Sequence, residues 1–180
     1  MRYIFNVVSG VAYLHSQSSP IVHRDIKPAN ILVSGHDARL GDLGLARVLM
    51  TENQEENSDE VANYIAMPWF YRTPELVKIA RNEKINLTVA SDIYQLGLVL
   101  YRSVTGFNPL VPPKKDIREE IELDIRPILG ASWARLDQLI GAMLRLAPEE
   151  RPTALEVLGR LGQIHKELCE ADFNATGVMR

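Results

Sequence analysis

Residues 23–30, H-R-D-I-K-P-A-N, are the stretch that decides the interpretation of this chain. They place an aspartate, a lysine and an asparagine within a few positions of each other. The stretch follows Pro20 and carries no helical or strand periodicity, so we predict a polar loop. Patterned segments lie on both sides of this loop.

The segments next to the loop predict a helix before it and a hairpin after it. Residues 1–17 carry apolar side chains at helical spacing, which predicts an amphipathic helix. Residues 31–33 and 38–40 are short runs on either side of the turn-forming residues 34–37, a pattern typical of a β-hairpin. The apolar stripe of the first helix consists of Ile4, Val7, Val8, Val11 and Leu14.

The rest of the chain predicts further helices and one long loop. Residues 51–60 carry five acidic side chains and no apolar one, so we expect a surface loop. The last helix is predicted to open with Thr153 and Glu156 as a capping box. The predicted fold class is mostly α with one small β-hairpin. The other predicted helices cover 90–105, a short segment near 116–124, and 132–146.

Composition narrows the class of protein. The chain has 180 residues, 46% of them hydrophobic, which fits one globular domain. The net charge of −3 argues against nucleic-acid binding through positive charge. No apolar run is long enough to predict a membrane span. The single cysteine, Cys169, allows no intrachain disulfide, so we expect an intracellular setting, the cytoplasm first, with the nucleus left open.

The motifs, taken in order, resemble the catalytic domain of eukaryotic-type serine/threonine protein kinases. Residues 23–30 match the His-Arg-Asp-Leu-x-x-x-Asn catalytic loop, with isoleucine in place of leucine. Residues 42–44, Asp-Leu-Gly, are similar to the Asp-Phe-Gly element, and 73–75 are similar to Ala-Pro-Glu. Residues 91–97 and 149–153 resemble the family's central buried helix and its late Arg-Pro element.

The resemblance implies the C-terminal lobe of that domain. Residues 1–170 correspond to the lobe, 42–75 to its activation segment, and 171–180 to a C-terminal tail. Only 22 residues precede His23, and no Gly-x-Gly-x-x-Gly pattern or strand lysine of the Val-Ala-Ile-Lys type is found. We therefore expect the ATP-gripping N-terminal lobe to be missing and the chain alone to have negligible activity.

The resemblance also implies catalytic roles for four side chains. Asp25 would accept the proton of the substrate hydroxyl, and Lys27 would place a positive charge at the transferred phosphate of ATP. Asn30 and Asp42 would hold Mg²⁺, because hard cations prefer oxygen ligands.

Structural roles follow from the same resemblance. We expect Arg151 to pair with Glu75 and so anchor the activation segment. Asp92 is expected to accept hydrogen bonds from the backbone of the catalytic loop, because a buried carboxylate needs partners. His23 and Leu43 are expected to stack in an apolar column beside the cleft.

Two features concern regulation and substrate positioning. Arg24 is, by resemblance, the residue that receives a phosphate from the activation segment, with Thr51 and Ser58 as candidate phosphorylation sites. An unmodified acidic loop is the alternative. Pro68 occupies the position of a threonine that supports the catalytic residues, unless residues 67–71 contain a one-residue insertion.

Two functions remain open from the sequence. The first is a catalytic kinase, acting on a protein substrate, of which this chain is part. The second is a pseudokinase lobe that acts as a protein-binding module. In either case we expect an N-terminal lobe or a partner protein to cover the apolar cleft face, and we expect neither nucleic acid nor a membrane as partner.

Overall fold

The computed structural model describes residues 2–49, 69–116, 118–128 and 133–176, with side chains described up to residue 170. The predicted fold class, mostly α with a small β-hairpin, is confirmed. The described residues form five α-helices and four short strands: α1 (Arg2–His15), β1 (Ile21–Val22), β2 (Ile31–Ser34), β3 (Asp37–Leu40), β4 (Arg47–Val48), α2 (Pro74–Ala80), α3 (Val89–Thr105), α4 (Ala134–Met143) and α5 (Ala154–Thr176).

Helix α3 is the centre of the fold. Every residue from Ser91 to Tyr101 is buried, because α1, α4 and the β1 strand pack around it. Thr88 caps its start through a capping box, and Gly106, with a φ of 79°, ends it in the left-handed conformation that glycine adopts without strain. A helix that is buried on all sides is a rigid platform, so groups bonded to it are held firmly.

Helix α1 closes one side of this core. The described part of its predicted stripe faces inward, with Val7, Val8 and Val11 almost completely buried. The helix packs against α5 and strand β3. The C-terminal end of α1 lies beside the start of α3, where His15 contacts Asp92.

Two antiparallel strand pairs bring the loops 23–30 and 41–46 together, because each loop runs from one pair to the other. The predicted hairpin forms between β2 and β3, with Ile31 opposite Leu40. A second pair, β1 with β4, joins Ile21 to Val48. This second pair was not predicted, because strands of two residues are too short to show a periodicity. It holds the chain before residue 23 next to the chain after residue 46.

The predicted short helix near 116–124 is wrong. The described residues there form turns and extended chain, with Leu110 and Leu123 in an isolated antiparallel bridge. The carboxylate of Glu119 accepts hydrogen bonds from the backbone N–H groups of Lys114, Lys115 and Asp116. That carboxylate therefore stabilises a turn where the apolar spacing alone suggested a helix.

The C-terminal helix begins as predicted. Glu156 Oε2 lies 2.7 Å from Thr153 N, and Glu156 N donates to Thr153 Oγ1 at 3.2 Å, which is the capping box. The helix continues to Thr176, so the predicted boundary between lobe and tail at residue 170 falls within it. Among the described helices, none is long and apolar enough to span a membrane.

Candidate active site

Asp92 at the start of α3 anchors the catalytic loop. Its two carboxylate oxygens accept hydrogen bonds from the backbone N–H groups of His23 and Arg24, each at 2.8 Å. Arg24 has a φ of 72°, a conformation that costs a non-glycine residue about 1–3 kcal/mol. We attribute this conformation to Asp92, because it lets two consecutive N–H groups reach one buried carboxylate. The predicted contact is confirmed.

His15 at the end of α1 completes this anchor. Its Nε2 lies 2.8 Å from Asp92 Oδ2, and its side chain is almost buried. One carboxylate thus joins α1, α3 and the catalytic loop. The sequence analysis missed His15, because a histidine at a helix end carries no signal of what it will contact.

Gln95, one turn further along α3, holds the rest of the loop. Its Oε1 accepts from the backbone N–H of Ile26 at 2.8 Å. Its Nε2 donates to the carbonyls of Arg24 and Tyr71, each at 3.1 Å. The sequence analysis assigned no role to Gln95, although a polar residue three positions after Asp92 on an otherwise apolar helix is a usable signal.

The Asp25 carboxylate lies in the centre of the loop with its two oxygens in different surroundings. Oδ2 accepts from Lys27 Nζ at 2.7 Å and from Asn30 Nδ2 at 2.8 Å. Oδ1 is buried and has no hydrogen-bond partner among the described residues. A buried carboxylate oxygen without a donor is costly, so such an atom is often part of a functional site. Asp25, Lys27 and Asn30 are therefore directly connected, with one acceptor left over.

His23 connects the catalytic loop to the end of the hairpin. Because a backbone N–H can only donate, the 3.3 Å contact from Asp25 N makes His23 Nδ1 an acceptor. His23 Nε2 then carries the proton and donates to the Gly41 carbonyl at 3.0 Å. His23 is completely buried, as expected.

Asp42 lies at the open end of the hairpin, one residue after Gly41, the partner of Asn30. The backbone N–H of Gly41 donates to the Asn30 carbonyl at 2.8 Å, which extends the β2–β3 pairing by one step. Asp42 follows with a φ of 56°, is exposed, and accepts from the backbone N–H of Gly44. No hydrogen bond joins Asp42 to Asp25, Lys27 or Asn30 in the described part of the chain. The described residues contain no group of three or more His, Cys, Asp or Glu placed to hold a metal.

The stacking expected between His23 and Leu43 stays a prediction. Leu43 is 57% exposed, whereas His23 is buried. Leu43 shares this exposure with Leu32 and Val33 of strand β2, which are 63% and 56% exposed. We refer to these three exposed apolar residues together as the apolar strip.

The ion pair between Glu75 and Arg151 is present as predicted. Arg151 Nη1 lies 2.6 Å from Glu75 Oε1 and Nη2 lies 3.3 Å from Oε2, and both side chains are buried. Arg151 also donates to three backbone carbonyls, and its guanidinium lies 4.8 Å from the ring centre of Tyr94. Burial raises the pKa of Tyr94, so its phenol stays neutral under this cation. The pair fixes the start of α2 to the core.

Residues 69–73, before α2, are bound to the same platform. The Phe70 carbonyl accepts from Asn108 Nδ2 at 2.8 Å, and the Tyr71 hydroxyl lies 3.3 Å from Arg102 Nη1. Thr73 caps α2 by accepting from Leu76 N. Of the predicted activation segment 42–75, the structure describes 42–49 and 69–75. Thr51, Ser58 and Pro68, to which the sequence analysis gave roles, lie outside the described residues.

Comparison with known proteins gives the class of this chain. A family model described as "Protein kinase domain" matches residues 1–160. The chain therefore belongs to the protein kinase domain family, and within it to the eukaryotic-type serine/threonine kinases.

Curated relatives agree with this assignment. The chain is 37% identical over 164 residues to the LRR receptor-like serine/threonine-protein kinase GSO1 of Arabidopsis thaliana, covering 88% of this chain and 12% of that protein. It is 30% identical over 178 residues to ribosomal protein S6 kinase alpha-2 of Mus musculus, covering 91% and 22%. The chain thus spans only a minor part of the length of the curated relatives it matches.

Proposed function

We propose that this chain is the lobe of a protein serine/threonine kinase that carries the catalytic loop. The complete kinase transfers phosphoryl groups from ATP to Ser and Thr hydroxyls of proteins, whereas this chain alone has negligible activity. The observation that supports this most directly is the Asp25 carboxylate. One of its oxygens is held by Lys27 and Asn30, and the other is buried without a donor. Under this proposal residues 1–170 form the lobe and 171–180 its tail.

The proposed chemistry assigns the two oxygens different tasks. Oδ1 of Asp25 accepts the hydrogen of the substrate hydroxyl, since it is the oxygen with free capacity. Oδ2 stays bonded to Lys27 and Asn30, which keeps the carboxylate from rotating. The Lys27 ammonium is only partly buried, so it can also face the transferred phosphoryl group. Positioning and charge stabilisation are the main catalytic effects in this reaction class.

Asn30 and Asp42 are the residues we propose to hold Mg²⁺. Asn30 is paired with Gly41, the residue before Asp42, and both Asn30 and Asp42 carry the oxygen donors that this ion prefers. Two protein ligands suit Mg²⁺, which keeps waters and substrate phosphate oxygens as its other ligands. Bound ATP with Mg²⁺ supplies the phosphoryl group and neutralises the charge that develops on it. Use of ATP fits the proposed intracellular setting.

We propose that a second lobe or a partner protein covers the apolar strip. Leu32, Val33 and Leu43 expose apolar surface, which tends to mark a partner site in a folded protein. The strip also favours the second candidate function, a lobe that acts as a binding module. Against that alternative, Asp25, Lys27, Asn30 and Asp42 all keep the residue types that catalysis needs.

Arg24 is the proposed receiver of a regulatory phosphate. A phosphate on Thr51 or Ser58 would carry the kind of negative charge that an arginine guanidinium binds. Phosphopeptide mapping of the native product tests this idea. Phosphate within residues 47–66 is expected, and its absence under all growth conditions would remove the proposal.

Identifying the phosphorylated amino acid tests the proposed function. The native product that contains residues 1–180 is incubated with Mg²⁺, labelled ATP and a mixture of Ser, Thr and Tyr peptides. We expect label on Ser and Thr, none on Tyr, and none when Mg²⁺ is chelated. A product that binds partners but incorporates no label would favour the binding module instead.

A further inference from the structure

Three hydrogen bonds of Gln95 connect two parts of the site that are far apart in sequence. Two of them hold the catalytic loop, at the Ile26 N–H and the Arg24 carbonyl, and the third holds the Tyr71 carbonyl. Gln95 is 1% exposed, so water cannot replace these bonds. Positions 26 and 71 are therefore connected through one carboxamide.

The orientation of this carboxamide is fixed by its partners. Ile26 offers a donor, whereas Arg24 and Tyr71 offer acceptors, so only Oε1 toward Ile26 and Nε2 toward the carbonyls satisfies all three groups. The reversed amide would place a donor against a donor and an oxygen against two oxygens. Neither serine nor a carboxylate of the same size could satisfy this arrangement.

We propose that Gln95 is a positioning residue that holds the end of the activation segment against the catalytic loop, and so sets how a protein substrate is held beside Asp25. Tyr71 is the point of attachment, since its hydroxyl is also bonded to Arg102, seven residues after Gln95 on the same face of α3. Asp92 lies on that face too and holds the other end of the loop. This inference rests on the proposed function for its consequence in catalysis, but the linkage itself can be measured without activity.

Amide hydrogen exchange on the full 180-residue chain tests the linkage. The Tyr71 carbonyl and the Arg72 N–H belong to one peptide plane, so the Arg72 amide reports on that attachment. In Gln95→Met, which keeps the size and removes the three bonds, we expect Arg72 exchange to rise about tenfold relative to Leu98 in the centre of α3. Leu139→Ala is the control, because it removes buried apolar volume from α4 without touching the linkage. Equal acceleration at Arg72 and Leu98 in Gln95→Met would overturn the proposal.

Kinetics of the native product test the consequence. In Gln95→Met we expect KM for a peptide substrate to rise about 10- to 100-fold while KM for ATP stays unchanged. In Gln95→Glu we expect a similar loss at neutral pH and partial recovery in acid, because a protonated carboxyl regains a donor for one carbonyl. Equal changes in both KM values, or no pH difference between the two variants, would show that Gln95 has a stabilising role only. A failure of the proposed function would instead appear as no label incorporated by the wild-type product, while the hydrogen-exchange result tests the Gln95 linkage independently.

Discussion

Breaking the buried ion pair at the start of α2 should strongly destabilise the chain. Glu75→Gln keeps the shape of the side chain but removes the negative charge beside the Arg151 guanidinium, which is completely buried. Loss of one partner of a buried pair costs about 3–5 kcal/mol, because the remaining charge is left uncompensated. Arg151 keeps its bonds to the carbonyls of Ala90, Arg145 and Leu146, so we expect the lower end, about 3 kcal/mol.

Urea unfolding followed by circular dichroism measures the change in the free energy of unfolding. In thermal unfolding of a chain of this size, about 3 kcal/mol corresponds to a fall in Tm of about 6–12 °C. Glu167→Gln is the matched control, since Glu167 pairs with Arg135 at the surface, where the two side chains are 47% and 63% exposed. An exposed pair contributes at most about 1 kcal/mol. If Glu75→Gln destabilises no more than Glu167→Gln, the reasoning that the buried pair anchors the segment is refuted.

Three further changes test the packing, the helix cap and the apolar strip. Gly97→Ala should cost about 1–3 kcal/mol in the free energy of unfolding, because the added Cβ would lie 2.9 Å from Leu144 Cδ2; an unchanged urea midpoint would contradict this. Glu156→Gln should lower stability at pH 7 and lose its effect in acid: the Thr153 N–H lowers the pKa of Glu156 below its ordinary value of 4.5, so the stabilisation is present above pH 4.5 and disappears as pH falls through the lowered pKa. Unfolding curves of the wild type and Glu156→Gln between pH 3 and 7 test this, and a difference in free energy of unfolding that stays constant across that range would contradict it. Leu32→Ser should raise the solubility of the chain without lowering its free energy of unfolding. A free energy of unfolding that falls by more than about 1 kcal/mol would mean that the apolar strip is covered.

The parts of the fold that could be predicted are those with a local pattern or a charge that needs a partner. The α1 stripe and the Thr153 capping box follow from periodicity and side-chain chemistry alone. The partners of Asp92 and Arg151 were implied by the family resemblance, and the need to compensate a buried charge supports both assignments. Both anchors of the site were therefore predicted through the resemblance.

The rest depended on contacts that a sequence pattern does not encode. The β1–β4 pair has two residues on each side, which is too short for a periodicity. The helix near 116–124 was predicted from apolar spacing, but Glu119 bonds to the backbone of a turn there. Leu43 was placed in a column by resemblance, and its 57% exposure has no signal in the sequence. The role of Gln95 could be recognised only from the structure, since it bonds to two segments that are far apart in sequence, at residues 24–26 and at Tyr71.

Turnover of an Asp25 variant tests the central claim most directly. The native product carrying Asp25→Asn is compared with wild type at saturating ATP and peptide, and Asp37→Asn, an exposed aspartate on the hairpin, is the control. The account predicts that Asp25→Asn lowers kcat by about 10²- to 10⁴-fold, while Asp37→Asn leaves it unchanged. An Asp25→Asn variant that keeps more than about a tenth of wild-type kcat would contradict the account, because the unpartnered oxygen of Asp25 would then not be the proton acceptor.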